Sequence, residues 1–265
     1  EFYGVSFMLK VRVIPTLLWK DFGLVKGVGF DSWRRVGAVL PAIKVYNSRD
    51  VDELIVVDIT ASIENNRPDH ESVADFSEEC FVPLTVGGGI SNLDDVLRLL
   101  HSGADKVSIN TCAYANPDII DDVASRFGAQ CVVASIDARR LDDGRYHCFS
   151  HAGSVGTGKD PVEWAKELVS RGAGEILLTS IDRDGTMQGY DLDLTERVAK
   201  SINVPLIASG GAGNYLHMID VIQQAGASAV AAASIFHFTE QTPAGAKQAM
   251  KSAGIPIREN FASNT

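Results

Sequence analysis

A closed (β/α)8 barrel is the fold class that this 265-residue sequence predicts, and two observations favour it. Short runs rich in Val and Ile alternate with amphipathic segments at intervals of roughly 30 residues, which is typical of βα units around a parallel sheet. Eight such runs are present, and the chain also repeats itself at half its length. An open doubly wound sheet is the alternative, but no Gly-x-Gly-x-x-Gly follows the first run.

The internal repeat links segments about 122 residues apart, from Val82 to Val204. The first copy reads VPLTVGGGI and the second VPLIASGGAG, so each ends in a glycine cluster. The similarity continues downstream, where 102–110 matches 225–233, and upstream, where 53–60 matches 175–182. A duplication on this scale predicts two similar half-barrels.

The eight predicted strands are short apolar runs bounded by turn residues. In order they are 11–17 (VRVIPTL), 53–58 (ELIVVD), 83–86 (PLTV), 106–109 (KVSI), 131–136 (CVVASI), 175–179 (EILLT), 206–208 (LIA) and 229–232 (AVAA). The 139–160 segment contains six Gly or Ser residues, and its length favours a mobile active-site flap.

The predicted helices lie between the strands, at 41–46, 93–101, 117–127, 161–171, 192–201 and 215–225. Asp160 and Asn116 each precede a proline, which is typical of a capped helix start. Four helices are followed by a glycine suited to ending a helix: Gly103, Gly128, Gly172 and Gly226.

Composition limits the function classes. A net charge of −10 and a pI near 5.0 argue against nucleic acid as the main partner, because such proteins carry clustered Lys and Arg. No run of 18 apolar residues and no leader sequence is seen, so neither membrane association nor secretion is expected. The four cysteines lack paired spacing, which favours free thiols and a cytoplasmic location. We expect one domain from Met8 to residue 265, and we interpret residues 1–7 as an appended or upstream remnant.

The two glycine clusters are candidate phosphate sites. Gly87–Gly89 and Ser209–Gly213 each follow a predicted strand, and Asn110-Thr111 and Ala233-Ser234 end the next strand in each case. Backbone N–H groups without a neighbouring Cβ can surround a phosphate. The alternative is a tight turn that needs glycine for its backbone. Because the cluster occurs twice in register, we predict a substrate that carries a phosphate at each end.

Carboxylates also follow the strands, at Asp58, Asp137, Asp182 and Asp184. The mouth of a barrel can tune a carboxyl group for general acid or base catalysis. Asp137 closes a clean apolar run and is the predicted catalytic acid, with helix capping as the alternative; for Asp182 and Asp184 the alternative is a turn. The histidines predict no metal site.

Several long blocks resemble the cyclase subunit of imidazole glycerol phosphate synthase. They are DITAS (58–62), TVGGGI (85–90), 104–111, 172–186, 207–213 and 232–238, and the resemblance runs from Met8 to about Lys251. It implies a barrel with half-barrel symmetry and no cofactor. It also implies a heterodimer with a glutaminase, whose ammonia is used to cleave and cyclise a ribulosyl bis-phosphate aminoimidazole carboxamide, a carbon–nitrogen lyase reaction.

The resemblance also implies roles for individual residues. One phosphate would be held by Gly89, Asn110 and Thr111, and the other by Gly185, Ser209, Gly210, Gly211 and Ser234. Asp137 would be a catalytic acid, and Asp105 would lie on the glutaminase docking face. An ammonia gate at the barrel floor would consist of Arg12, Glu53, Lys106 and Glu175. For these four charges the alternative is an ordinary rim network of salt bridges.

Leu18 is the one departure from the family pattern, because it stands where the second catalytic aspartate belongs. Leucine transfers no proton, and a general acid or base supplies roughly 10²–10⁴-fold in rate. Asp21 follows in the loop, and Lys26 of that loop matches the family. The PTLL strand (15–18) resembles a branch of cyclase-like barrels that supply ammonia for acetamidino modification of surface-polysaccharide sugars. The alternatives are a genuine cyclase of histidine biosynthesis, with Asp137 acting alone or helped by Asp21, and a non-catalytic ammonia conduit that activates the glutaminase.

Overall fold

Eight parallel strands close into a barrel in the computed structural model, which describes residues 10–21 and 23–258. In chain order the strands are β1 (Arg12–Lys20), β2 (Gly23–Val28), β3 (Asp31–Gly37), β4 (Leu54–Asp58), β5 (Leu84–Gly87), β6 (Lys106–Ile109), β7 (Val132–Arg140), β8 (Tyr146–Ser150), β9 (Val155–Gly156), β10 (Glu175–Ser180), β11 (Leu206–Ser209) and β12 (Ala229–Ala232). The barrel runs β1-β4-β5-β6-β7-β10-β11-β12, and β12 pairs back to β1. The predicted fold class is confirmed. The predicted boundary at Met8 lies outside the described residues.

Helices cover the outside of the barrel. They are α1 (Val39–Asn47), α2 (Ala61–Glu64), α3 (His70–Glu78), α4 (Leu93–His101), α5 (Thr111–Ala115), α6 (Asp118–Phe127), α7 (Pro161–Ser170), α8 (Leu192–Ala199), α9 (Tyr215–Gln223), α10 (Ser234–Phe238) and α11 (Pro243–Ser252), with a 3₁₀ turn at Ala129–Cys131. Asp160 caps α7 as predicted, since its carboxylate accepts the N–H groups of Val162 and Glu163. The prediction for Asn116 is wrong, because that residue ends α5 and α6 begins after Pro117 without a side-chain cap. In the described residues no helix is long and apolar enough to cross a membrane.

A β-hairpin that the sequence did not predict rises from the first barrel strand. Strand β1 continues past residue 17 because its end pairs antiparallel with β2, with Leu18 opposite Val25. Strand β2 then turns into β3 through Gly29 and Phe30, whose φ angles of +58° and +64° are both left-handed. Positive φ at both central residues is what a two-residue type I′ turn requires. The hairpin therefore extends the wall on one side of the barrel mouth.

The segment predicted to be a flap is also built from strands. Beyond Ile136, β7 continues as one arm of an antiparallel hairpin with β8, and Asp137 lies opposite Phe149. Strand β9 pairs with β8 in turn. The guanidinium of Arg139 lies over the ring of Phe149, 5.0 Å from its centre. Nine of the 22 residues in 139–160 lie in these three strands, and they extend the barrel wall.

The apolar core has two parts. The larger part fills the space between the strands and the helices. The smaller part lies inside the barrel and consists of Ile14, Ile55, Val133, Leu177, Ile207, Ala229 and Ala231. Side chains alternate along a strand, so the residues two positions earlier and later on the same strands also face the interior. The interior is thus a packed layer with a polar region at each end.

Candidate functional site

A cavity opens at the carboxyl ends of the barrel strands, where the chemistry of such barrels is found. All eight predicted phosphate-site residues line it, together with Leu18 and Asp137. The two glycine clusters follow β5 and β11, the third and seventh strands of the barrel, so they face each other across the mouth. The structure therefore brings the candidate residues into one site.

One position in each glycine cluster, Gly88 and Gly211, can hold only glycine. At Gly88 (φ +102°) an added Cβ would lie 2.2 Å from the backbone oxygen of Asp58. At Gly211 (φ +106°) it would lie 2.2 Å from the backbone oxygen of Gly189. Both distances are far below van der Waals contact, so the glycine requirement is steric as well as conformational. The steric requirement agrees with a role of these glycines in a tight turn. The missing side chains also leave room at the cavity surface for an anion to approach the backbone.

Asp137 is a half-buried carboxyl group at the mouth of the barrel. Its Oδ2 accepts a hydrogen bond from Nδ2 of Asn110 at 2.7 Å. Burial and then the charge of Asp184 raise the pKa of Asp137 to about 7, against the hydrogen bonds from Thr179 and Asn110. A group with this pKa is present in both protonation states near neutral pH. It can therefore act as a general acid or a general base.

Lys26 and Asp184 carry opposite charges near Asp137, and each affects the pKa of the other. Lys26 is only 3% exposed, and its Nζ lies 3.5 Å from the carbonyl oxygen of Thr16. Burial lowers the pKa of Lys26, and the charge of Asp184 opposes that change. Burial raises the pKa of Asp184, and the charge of Lys26 opposes it. The mouth therefore holds three titratable groups whose pKa values have moved towards neutrality.

Leu18 belongs to an apolar part of the cavity wall. Phe30 and Trp33 from the hairpin and Val57 from β4 line the same cavity. Asp21 lies in the turn after β1, is exposed, and has a left-handed φ of +52°. It is not among the lining residues, so the structure gives no support for Asp21 as a replacement acid.

Two of the strand-end carboxylates have structural partners. Oδ1 of Asp58 accepts the N–H groups of Thr60 and Ala61, which fixes the turn into α2. Asp182 accepts the N–H of Arg140 at the rim. Hydrogen bonds of this kind favour a turn-forming role for both residues.

The four predicted gate residues form a closed ring at the other end of the barrel. Arg12 contacts Glu53 and Glu175, at 2.7 Å in each case. Lys106 contacts the same two carboxylates, at 3.1 and 2.5 Å. Burial by itself lowers the pKa of Arg12, but the hydrogen bonds and charges of Glu175 and Glu53 outweigh burial and raise it. Burial by itself raises the pKa of Glu175, but Arg12 and Lys106 outweigh burial and lower it.

Asp105, the predicted docking residue, is exposed next to this ring. Its Oδ2 accepts the N–H of Leu84 at the start of β5. Its role in docking stays a prediction.

Sequence reasoning missed the hairpin residues Phe30 and Trp33, since the stretch 23–28 (GLVKGV) shows no alternation of apolar and polar residues that would indicate a strand. It also missed the buried ion pair of Asp52 and Lys247 outside the charged ring, at 3.0 Å. Residues so far apart in sequence leave no local pattern. Within 10–21 and 23–258, no three His, Cys, Asp or Glu side chains are grouped as a metal site would need.

The family assignment agrees with this arrangement of a closed barrel, a polar mouth and a charged floor. The sequence profile of the family described as histidine biosynthesis protein matches residues 12–242, from the first barrel strand to the residue before α11. The chain therefore belongs to the histidine biosynthesis protein family.

Proposed function

We propose that this protein is the synthase-like subunit of a glutamine amidotransferase pair, which takes ammonia from a glutaminase and delivers it to the mouth of the barrel. The observation that carries the proposal is the closed ring of Arg12, Glu53, Lys106 and Glu175, at the opposite end of the barrel from the candidate phosphate site. An ordinary rim network of salt bridges is the alternative explanation of the ring. In a barrel that admits ammonia from below, these four side chains would close the entrance.

The proposed route from floor to mouth passes the interior faces of β5 and β6. Thr85 pairs in register with Lys106, so it faces the interior beside the ring, and Ser108 follows two residues later on the same face. Ile14 on β1 and Leu177 on β10 lie two residues past Arg12 and Glu175 and belong to the apolar cluster inside the barrel. Neutral ammonia can pass an apolar layer with hydroxyl groups on one side, whereas an ion would lose its hydration there.

The mouth would hold a phosphorylated acceptor. The glycine clusters would bind its phosphate groups, with Gly89, Asn110 and Thr111 on one side and Gly185, Ser209, Gly210, Gly211 and Ser234 on the other. Asp137 would transfer a proton as ammonia reacts. No cofactor is part of this scheme.

Leu18 distinguishes between the two candidate acceptors of the ammonia, the cyclase substrate and a surface-polysaccharide sugar. Family membership supports a histidine-pathway type of barrel, but the cyclase reaction of the family uses a second acid where Leu18 stands. We therefore favour the paralogue branch, in which the ammonia serves amidination of surface-polysaccharide sugars. The cyclase of histidine biosynthesis is the second candidate. The pKa of Asp137 near 7 and the opposite charges of Lys26 and Asp184 near it favour this candidate, since they leave proton-transfer groups at the mouth.

Complementation separates the two candidates. Cells that lack the cyclase subunit would express this chain and be tested for growth without histidine. We expect no growth, and growth would establish the cyclase. Expression is monitored in both cases, and the Leu18→Asp variant serves as the matched positive variant.

The amidotransferase pairing is tested with the glutaminase encoded nearest to this gene. We expect a 1:1 complex and faster glutamine hydrolysis when the barrel is added. Asp105→Ala should weaken the complex, while Asp122→Ala, at an equally exposed position on α6, should not. Absence of both binding and stimulation would refute the proposal.

A further inference from the structure

We propose that the buried Asp52–Lys247 pair, on the outside of the barrel, is a positioning element that fixes the Arg12–Glu53 half of the gate. The pair lies between the barrel and α11, near the C-terminal end of the described chain. It makes no contact with the interior. Its consequence for ammonia rests on the proposed function, whereas the geometry does not.

The contacts of Asp52 are unusually complete. Its Oδ1 accepts a hydrogen bond from Nζ of Lys247 at 3.0 Å, and its Oδ2 accepts the backbone N–H of Val13 at 2.8 Å. The backbone N–H of Asp52 in turn donates to the carbonyl of Val13 at 3.3 Å. Lys247 also donates to the carbonyl of Asp50, at 3.2 Å. Every oxygen of the Asp52 carboxylate therefore has a donor.

The two residues held together by these bonds are the chain neighbours of two gate residues. Val13 follows Arg12, and Asp52 precedes Glu53. Arg12 and Val13 are adjacent on β1 and therefore face opposite sides of the sheet. Asp52 and Glu53 precede β4, and Asp52 contacts Lys247 of α11 whereas Glu53 contacts Arg12 inside the barrel. The Asp52 carboxylate thus joins the two segments from which Arg12 and Glu53 point inward. Two contacts therefore join the same two chain segments, 12–13 and 52–53. Outside the barrel the N–H of Val13 donates to Asp52 at 2.8 Å, and inside it Arg12 contacts Glu53 at 2.7 Å.

Burial makes this link rigid. The side chains of Asp52 and Lys247 are 0% and 2% exposed. A buried ion pair contributes little net stability compared with apolar residues of similar volume, but removing Lys247 would leave the Asp52 carboxylate without its counter-charge. Lys247 itself also lies 3.3 Å from Oδ1 of Asp50. A pair of this kind is better explained by the geometry it fixes than by stability alone.

The internal repeat provides a comparison within the same chain. Glu175 is the counterpart of Glu53 in the second half, and the residue before it is Gly174. The backbone bond is reproduced there, since the N–H of Gly174 donates to the carbonyl of Val132 at 3.0 Å. The carboxylate and the lysine are absent at Gly174. The barrel therefore closes in that half without such a pair, so barrel closure alone does not account for Asp52 and Lys247.

The test measures the gate directly by NMR exchange of the Val13 amide proton and the Arg12 guanidinium protons in the full chain. The variants are Asp52→Ala and, as a control, Met250→Ala, which leaves a cavity under the same helix and keeps both members of the pair. At matched stability, set with denaturant, we expect exchange in Asp52→Ala to be at least about tenfold faster than in the control. Equal rates in the two variants would overturn the proposal.

A second comparison applies if Asp52→Ala does not fold. Asp52→Asn keeps the volume but has one acceptor oxygen for two donors, so we expect faster exchange at Val13 and Arg12. Adding Lys247→Gln supplies an acceptor for the new amide and should restore exchange to within about threefold of the parent chain. Failure of this rescue, or no effect of Asp52→Asn, would refute the positioning role. Neither outcome depends on a glutaminase, so failure of the proposed function would be recognised separately.

Discussion

Replacing Asp137 by asparagine is expected to stabilise the folded protein at neutral and alkaline pH. The pKa of Asp137 is raised from 3.8 to about 7, chiefly by burial and then by the charge of Asp184. The folded state therefore binds this proton more tightly than the unfolded chain does, and it loses stability as the pH rises from about 4 to about 7. Roughly three pH units at 1.36 kcal/mol each give about 4 kcal/mol. This is an upper bound, because water in the cavity reaches the half-buried group.

The assay is urea unfolding of the parent chain and Asp137→Asn between pH 4 and pH 8.5. Near pH 4 the Asp137 side chain is neutral in the folded protein, so the two free energies of unfolding should agree closely. By pH 8 the variant should be more stable by up to about 4 kcal/mol. Asn110 can still donate to the new amide oxygen, so the local hydrogen bond is preserved.

The control is Asp122→Asn, at an exposed position on α6, which should change the free energy of unfolding by less than about 0.5 kcal/mol at every pH. If the free energies of unfolding of Asp137→Asn and of the parent chain differ by the same amount at every pH, the pKa of Asp137 is not raised in the folded protein. A variant that is less stable at pH 8 would equally refute the raised pKa.

Three further substitutions probe the mouth of the barrel. Leu18→Asp should raise ammonia-dependent cyclase turnover by about 10²-fold or more if only the acid is missing; no gain would indicate wider divergence of the site. Asp184→Asn should lower the pKa of Asp137 below about 7 by removing a like charge and lower that of Lys26 further, as NMR titration would show; unchanged values would disprove the coupling. Gly211→Ala places a Cβ 2.2 Å from a backbone oxygen and should weaken binding of inorganic phosphate at least tenfold by ³¹P NMR, whereas unchanged binding would exclude this loop from the site.

The barrel was predictable because its signals are periodic and repeated. Predicted strands 106–109 and 229–232 match β6 and β12 at both ends. The duplicated glycine clusters predict two loops on the same rim of the barrel. Their position in the structure is confirmed, while their role in binding phosphate stays a prediction.

The hairpin was not predictable in the same way. Its turn uses Gly29 and Phe30 with positive φ, and phenylalanine is rare in that conformation. The strain is opposed by contacts outside the hairpin, because the N–H of Gly29 donates to the carbonyl of Asp184 at 2.9 Å. A turn held by tertiary contacts carries no Asn-Gly or Asp-Gly signal in its own sequence.

The roles of the carboxylates were only partly predictable. Asp58, Asp137 and Asp184 all lie at or after the ends of predicted strands, and the clean apolar run before Asp137 is the one local feature that favours it. In the structure Asp58 receives three hydrogen bonds at its turn, while burial raises the pKa of Asp137 and of Asp184. Burial and partners from other strands decide the difference, and both depend on the closed barrel.

The titratable groups at the mouth argue against a purely passive conduit. A conduit needs the ring at the floor and an uncharged interior, and it gains nothing from ionisable groups at its exit. Yet Asp137, Asp184 and Lys26 lie together there, and burial disfavours the charged form of each. Ionisable groups whose burial in a cavity lowers the stability of the folded protein are typical of sites that transfer protons. If Asp137→Asn proves more stable at pH 8 and also abolishes transfer of ammonia to the acceptor, the mouth is a chemical site despite Leu18.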